Sequence, residues 1–173
     1  MLTYAPHTKF ASRNVIICAF YAFIFALIAS PVNANKYNIG DIEIIRPWTR
    51  ETLKNARTNS GYFHIINHGP TPDWLISIET DGVQTTEIHS LSANNDIVQM
   101  EKLTHGIEIP GYGETKLKRG GNHVMFMGLS QPFKRGDKIH ARLVFEKAGV
   151  VDIDFTVADI MKEAPSSESH HHH

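Results

Sequence analysis

The chain has 173 residues, with 17 Lys and Arg against 18 Asp and Glu, a formal net charge of -1 and a single cysteine. Hydrophobic residues make up 42% of it. This composition excludes a disordered chain, a collagen-like repeat and a small disulfide-rich protein. The near-neutral charge balance also argues against a nucleic-acid-binding protein, because such a protein needs a basic surface to displace the counterions of phosphate.

The first 34 residues have the organisation of an export signal. Lys9 and Arg13 precede an uncharged, mostly apolar run over residues 15–28 (VIICAFYAFIFALI). This run is shorter than the roughly 20 residues that a lone membrane-spanning helix needs, and Val32-Asn33-Ala34 ends in a small residue suited to cleavage. We expect cleavage after this alanine and a folded domain over residues 35–160. An uncleaved amino-terminal anchor is the alternative, and the domain is exported in either form.

The only cysteine, Cys18, lies inside this apolar run. Residues 15–17 (VII) lack the small residue that a lipid-attachment site needs next to its cysteine. The mature chain would therefore contain no cysteine. No disulfide would then stabilise the fold, and no thiolate would serve as a nucleophile, a zinc ligand or a blue-copper ligand.

The mature part of the chain has the pattern of an all-β domain. From Tyr37 onward, short alternating runs recur between clusters of Gly, Pro, Asn and Asp, a spacing that indicates an antiparallel sandwich or a Greek-key barrel. After Ile160 the pattern stops, and residues 161–173 are expected to form a polar, flexible tail. The predicted strands are Ile42 to Ile45, Gly61 to Asn67, Trp74 to Glu79, Thr86 to Leu91, Ile97 to Leu103, Gly106 to Ile109, Glu114 to Leu117, His123 to Gly128, Lys138 to Phe145 and Val151 to Val157.

Two groups of His and Met residues are the candidate functional residues. In the first, a hairpin with Asn94-Asn95 as its two-residue loop would make His89 and Met100 direct cross-strand neighbours. A four-residue loop around the same asparagines would preserve this pairing, whereas a loop of three or five residues would shift it. An imidazole and a thioether at these positions would be close enough to bind one ion.

The second group lies on the predicted strand HVMFMGL. Alternate residues of a strand share a face, so His123, Met125 and Met127 would point to one side, and Val124 and Phe126 to the other. Thioethers with imidazoles select Cu(I), and they do so without a thiolate that an oxidising compartment could convert to a disulfide. Methionine is also a common core residue, so packing is the alternative interpretation.

These residues resemble a known signature. The order in this chain is His89, ten residues, Met100, twenty-two residues, His123, one residue and Met125. It resembles the signature of the periplasmic PCuAC copper chaperones, whose central gap is usually one residue shorter. The extra residue falls in a stretch with two glycine turns, where an insertion is easily absorbed. Similar blocks cover nearly the whole mature domain, namely RPWTR, GYFHIINHG, GIEIPGYGETKLKRGGNHVMFMGLSQPFKRGD and LVFEKAG.

The resemblance implies a cupredoxin-like β-barrel that binds one Cu(I) near its surface and passes it to a partner. Carried over to this chain, the ligands are His89, Met100, His123 and Met125. Met127 is a reserve candidate on the same strand face, for which packing is the simpler explanation. In the family, the partner is associated with assembly of the dinuclear copper centre of cytochrome c oxidase, often alongside a Sco-type thioredoxin-fold protein. We therefore expect a monomeric periplasmic chaperone of a Gram-negative bacterium that is not an enzyme. Protonation of its two histidine ligands at low pH should weaken binding.

Three other functions compete with that of a copper chaperone. A blue-copper electron carrier requires a cysteine ligand, and a copper enzyme such as a superoxide dismutase would need a denser histidine cluster with an open coordination position. A metal-free β-sandwich binding module of the cell envelope, in which His and Met are packing residues, stays open as the alternative. The stoichiometry of Cu(I) binding would separate it from a chaperone.

The carboxyl terminus ends in four histidines, His170 to His173. They are either the remnant of an expression tag or a natural extension. If they are natural, they could hold Cu(II) together with Met161 as a second, labile site, because consecutive imidazoles suit Cu(II) and Ni(II).

Overall fold

The computed structural model describes residues 35–94 and 97–159, which lie in one compact unit of the chain. Within these ranges every regular element is a β-strand, so the predicted all-β class is confirmed, and no described helix is long and apolar enough to cross a membrane. The strands are β1 (Lys36–Ile39), β2 (Ile42–Arg50), β3 (Thr58–Asn67), β4 (Asp73–Thr80), β5 (Thr85–Asn94), β6 (Ile97–Lys102), β7 (Ile107–Ile109), β8 (Glu114–Leu117), β9 (His123–Met127), β10 (Lys138–Phe145) and β11 (Gly149–Ala158).

Several predictions fall on residues outside the described ranges. These are the export signal over residues 1–34 with Cys18, and the tail over residues 161–173 with Met161 and the terminal histidines. They stay predictions.

All the strands belong to one hydrogen-bonded sheet in the order β6-β5-β9-β3-β2-β11-β10-β4-β7, with β1 added to β2 and β8 added to β3. Neighbouring strands are antiparallel except β2 and β11, which pair in parallel. The sheet curls, so that β7 approaches β3 and β8. There the Asn67 side-chain amide donates a hydrogen bond to the Ile109 carbonyl at 3.4 Å, and the Thr115 hydroxyl donates one to the Glu108 carbonyl at 2.7 Å.

The predicted strands are present, with differences at their ends. Strand β1 was missed, and β2 continues well past its predicted end at Ile45. Proline usually ends a strand, but β2 passes Pro47 by means of a bulge, where Arg46 has a φ of 50° and the register with β3 shifts. The parallel pairing of β2 with β11 was also not expected, because alternation along one strand does not reveal which distant strand lies beside it.

Aromatic rings fill the centre of the core beside β9. Phe126 packs edge to face against Phe155 at a centroid distance of 5.3 Å and against Phe133 at 5.8 Å. Gly61 on β3 makes room for these rings, since a Cβ atom there would lie 2.7 Å from the Phe126 ring and 2.8 Å from the Phe155 ring. The position of β9 in the sheet therefore depends on this close contact.

A methyl group at Gly61 should disturb that contact. We expect Gly61→Ala to lower the free energy of unfolding by about 1–3 kcal/mol, because overpacking a dense core forces rings and backbone to shift. Gly121→Ala is the matched control, since a Cβ atom there meets nothing closer than 3.6 Å. Urea denaturation of both variants measures the effect, and equal stability of the two would contradict this description of the core.

Candidate metal centre

Strand β9 presents a His and two Met residues on one face. Val124 and Phe126 are fully buried in the core, and the residues that alternate with them, His123, Met125 and Met127, lie on the opposite face. His123 is itself only 6% exposed, because β9 is flanked by β3 and β5. The alternation predicted for this strand is therefore present.

The structure brings His89 and His123 together. They are directly opposite each other in the antiparallel pairing of β5 with β9, and their ring centroids are 5.9 Å apart. With metal–nitrogen bonds of about 2 Å, an ion bound to one nitrogen of each ring would fit between rings at this separation. The strand pattern of the sequence had paired His89 with Met100 instead, and only the resemblance to PCuAC chaperones implied that both histidines serve one ion.

Hydrogen bonds leave one nitrogen of each ring available. Nδ1 of His123 lies 2.9 Å from the Gly121 carbonyl oxygen, and Nε2 of His89 lies 2.8 Å from the carboxylate of Glu87. Both partners only accept hydrogen bonds, so these two nitrogens carry the hydrogen atoms in the neutral rings. The lone pairs then belong to Nε2 of His123 and Nδ1 of His89. The latter is buried and makes no hydrogen bond within the described part of the chain.

Met100 lies on the same face as His89, but its predicted register is wrong. His89 is opposite Lys102, and Met100 is opposite Leu91, two residues nearer the hairpin turn. A slip of two residues preserves the face of a strand. Met100 is therefore a diagonal neighbour of His89, a distance that long side chains can still span. Its side chain is more than half exposed.

The register of β6 is weakly constrained by packing. Every residue of β6 is exposed, so no buried face fixes its pairing with β5. The last described pair before the hairpin end is Asn94 with Ile97. Asn and Asp both suit the turns of two-residue hairpins, so the turn residues of the sequence did not single out one register.

The four predicted ligands are therefore not equally close. His89, His123 and Met125 are neighbours, whereas Met100 approaches the imidazoles from the hairpin end, opposite to Met125. Met127 is two residues beyond Met125 and pairs with threonines on both flanking strands. No group of three or more His, Cys, Asp or Glu side chains in residues 35–94 and 97–159 could hold a metal ion. The role of the four residues as ligands stays a prediction.

Sequence reasoning missed Glu87, whose carboxylate contacts two residues of this face. It accepts hydrogen bonds from Nε2 of His89 at 2.8 Å and from Nζ of Lys102 at 2.6 Å. The hydrogen bond from Lys102 is the main cause that lowers the pKa of Glu87, and the one from His89 adds to it. The position of Glu87, two residues before His89 and therefore on the same strand face, was the available signal.

Two other glutamates have the same kinds of partner, a lysine and a histidine. Only the His89 side chain is this well buried, at 14% exposed against 24% and 57% for the other two histidines. In one of the two other groups, the Glu43 carboxylate lies 2.6 Å from Lys36 and 2.6 Å from His68. In the other, the Glu114 carboxylate lies 2.6 Å from Lys116 and 2.8 Å from His64.

Comparison with solved structures defines the class of domain. The apo PCuAC domain from PmoF1 superimposes with a TM-score of 0.62 and 27% identity, covering 72% of this chain and 98% of that domain. The copper-bound PCuAC domain from PmoF2 has a TM-score of 0.62 and 28% identity, covering 72% of this chain and 97% of that domain. The Cu(I) form of DR1885 from Deinococcus radiodurans shares the fold. Its identity is 20% and its TM-score 0.54, with coverage of 78% of this chain and 87% of that chain. The PCuAC resemblance and the cupredoxin-like fold expected from the sequence are confirmed.

A family model then identifies the chain itself. Residues 42–157 match the family described as "Putative lipoprotein LpqE-like", and the chain belongs to this family. One relative is "Putative lipoprotein Lxx21020" of Leifsonia xyli subsp. xyli (strain CTCB07). It is 21% identical over 118 residues, which are 68% of this chain and 70% of the relative.

The ion pairs of Glu43 predict a pH dependence of folding. The hydrogen bond from Lys36, followed by the one from His68, lowers the pKa of Glu43 below its ordinary value of 4.5. Folding therefore favours the ionised carboxylate, a contribution that is present above this value and is lost as the pH falls through the lowered pKa. At neutral pH we expect Glu43→Gln to unfold more easily than the wild type by about 1 kcal/mol.

Urea denaturation at a series of pH values measures this difference. The gap between wild type and Glu43→Gln should shrink as the pH falls below about 4.5 and should approach zero in strong acid. A gap that keeps its full size in strong acid would contradict the assignment.

Proposed function

We propose that this protein binds one Cu(I) ion in the cell envelope and passes it to an acceptor protein. The observation that carries the proposal is the contact between His89 and His123, in which each ring keeps one nitrogen lone pair, with Met125 beside them on the same face. The copper-bound PCuAC domain from PmoF2, which shares this fold, supports the choice of metal.

The proposed ligands are Nδ1 of His89, Nε2 of His123 and the thioether sulfurs of Met125 and Met100. All four are neutral, and two are soft sulfur donors, so they favour Cu(I) over harder ions. Four protein donors fill the coordination positions that an enzyme would leave open to a substrate. This donor set suits a carrier of copper better than a copper enzyme.

The unequal exposure of the ligands provides a route for release. His123 is buried and His89 nearly so, whereas Met100 lies on the exposed edge strand β6. An acceptor that approaches from the hairpin side would meet Met100 first. Replacement of this thioether by a donor of the acceptor starts a ligand exchange that leaves the buried imidazoles until last.

The resemblance to PCuAC chaperones also suggests the acceptor and the compartment. We propose the subunit of cytochrome c oxidase that carries the dinuclear copper centre, or a Sco-type protein, as the acceptor. The lipoprotein descriptions of the family and of its relative support an exported protein of the cell envelope. We also propose the periplasm of a Gram-negative bacterium as the compartment, which the predicted export signal and the resemblance support.

An anaerobic Cu(I) competition titration on residues 35–160 tests the function, since this segment omits the terminal histidines. We expect one equivalent of tightly bound Cu(I) in the wild type and its loss in the double variant His123→Ala with Met125→Ala. A wild type that binds no more Cu(I) than the double variant would contradict the proposal and would favour a metal-free binding module of the cell envelope.

Single methionine substitutions test the ligand set. We expect Met125→Leu to weaken Cu(I) binding by about tenfold or more, equivalent to about 1.4 kcal/mol, and the more distant Met100→Leu to weaken it less. Met127→Leu on the same strand face is the matched control and should bind as the wild type does. All three should keep their free energy of unfolding within about 0.5 kcal/mol. A loss at Met127 equal to that at Met125 would overturn this ligand set.

A further inference from the structure

We propose that Glu87 is a positioning residue of the copper centre, which holds His89 in the tautomer and orientation that offer Nδ1 to the ion. The inference rests on the proposed function, because it assigns the residue that prepares one of the four ligands. Glu87 does not itself bind the metal in this account. It acts through the imidazole of His89.

The hydrogen bond between Glu87 and His89 fixes the tautomer. A neutral imidazole can carry its hydrogen on either nitrogen, and the partner of one nitrogen decides which. The Glu87 carboxylate lies 2.8 Å from Nε2 of His89 and can only accept, so the hydrogen is held on Nε2. Nδ1 then keeps its lone pair, and this buried atom has no hydrogen-bond partner among the described residues. Buried polar atoms are rarely left in this state, and a bound metal ion would satisfy this one.

Lys102 holds the carboxylate in place. Its ammonium group lies 2.6 Å from Oε1 of Glu87, while His89 contacts the other oxygen, Oε2. With both oxygens engaged, the carboxylate serves as a hydrogen-bond partner of His89 and is kept from acting as a hard oxygen donor that would attract other ions. Lys102 is directly opposite His89 on β6, so the ion pair also connects the strand of Met100 to the strand of His89.

A comparison within the same molecule separates this role from ordinary ion pairing. Glu114 contacts His64 at 2.8 Å and Lys116 at 2.6 Å, the same distances that Glu87 makes to its partners. The Glu114 side chain is 51% exposed, however, whereas that of Glu87 is 18% exposed. Glu87 differs because its histidine is more buried than His64 and lies against a second imidazole.

The structure also fixes the opposite tautomer in the second histidine. His123 donates through Nδ1 to the Gly121 carbonyl, so its hydrogen lies on Nδ1 and its lone pair on Nε2. The two rings of the centre should therefore carry their hydrogens on different nitrogens. This difference gives a measurement that does not require copper.

Nitrogen-15 NMR of the histidine rings in the metal-free full chain tests the tautomers. In the wild type we expect His89 to be protonated on Nε2 and His123 on Nδ1. Glu87→Leu should remove the preference at His89 and leave His123 unchanged, whereas Glu87→Gln should retain it, because its amide oxygen can accept the same hydrogen bond. Glu114→Leu is the matched control and should leave His89 as it is in the wild type.

Anaerobic Cu(I) competition on the same variants links the tautomer to binding. In a full-length background with His170 to His173 replaced by alanine, Glu87→Leu should bind Cu(I) about 10–100-fold more weakly. Glu87→Gln should recover most of this loss, and Glu114→Leu should show none.

Three outcomes separate the inference from the proposed function. A wild type that binds Cu(I), with Glu87→Leu equal to it in tautomer and affinity, would overturn the positioning role and leave the function standing. Weaker binding in Glu87→Leu with an unchanged His89 tautomer would also overturn it. If the wild type fails to bind Cu(I), the proposed function fails, and with it the positioning role, whatever the tautomers are.

Discussion

Successive side chains of a strand point to opposite faces, and the candidate centre depends on this alternation in β9. Phe126 and Val124 are buried in the core, where Phe126 packs against two other aromatic rings. A slip of one residue would turn His123 and Met125 toward the apolar core in their place and turn Phe126 away from it. Burying polar imidazole without partners is costly, so the core fixes the face on which the His and Met residues appear.

The centre is built from strands that are distant in sequence but adjacent in the sheet. Strand β9 lies beside β5, so the histidines of two separate segments oppose each other across one ladder. The buried half of the centre is held by ladder hydrogen bonds, the Gly121 carbonyl and Glu87. The exposed half lies on β6, which has a neighbour on one side only. Firm placement of the imidazoles and access to one thioether would suit the proposed copper carrier.

The sequence was sufficient where the deciding forces are local. Alternation and turn residues located ten of the eleven described strands, and they identified the face shared by His123 and Met125. The all-β class and the PCuAC resemblance are confirmed. Met100 and its neighbours on β6 were placed in the wrong register because no buried side chain constrains that strand. The contact between His89 and His123 could not be derived from the strand pattern, because it depends on which distant strands become neighbours, and only the family resemblance implied it.

The central claim is that one copper ion binds to imidazole and thioether ligands of this face together. Copper K-edge X-ray absorption on the protein loaded anaerobically with one equivalent of Cu(I) tests it directly. The proposed ligands predict a spectrum with both imidazole nitrogen and sulfur in the first coordination shell, and less sulfur after Met125→Leu. A first shell without sulfur, or a sulfur signal that Met125→Leu leaves unchanged, would contradict it.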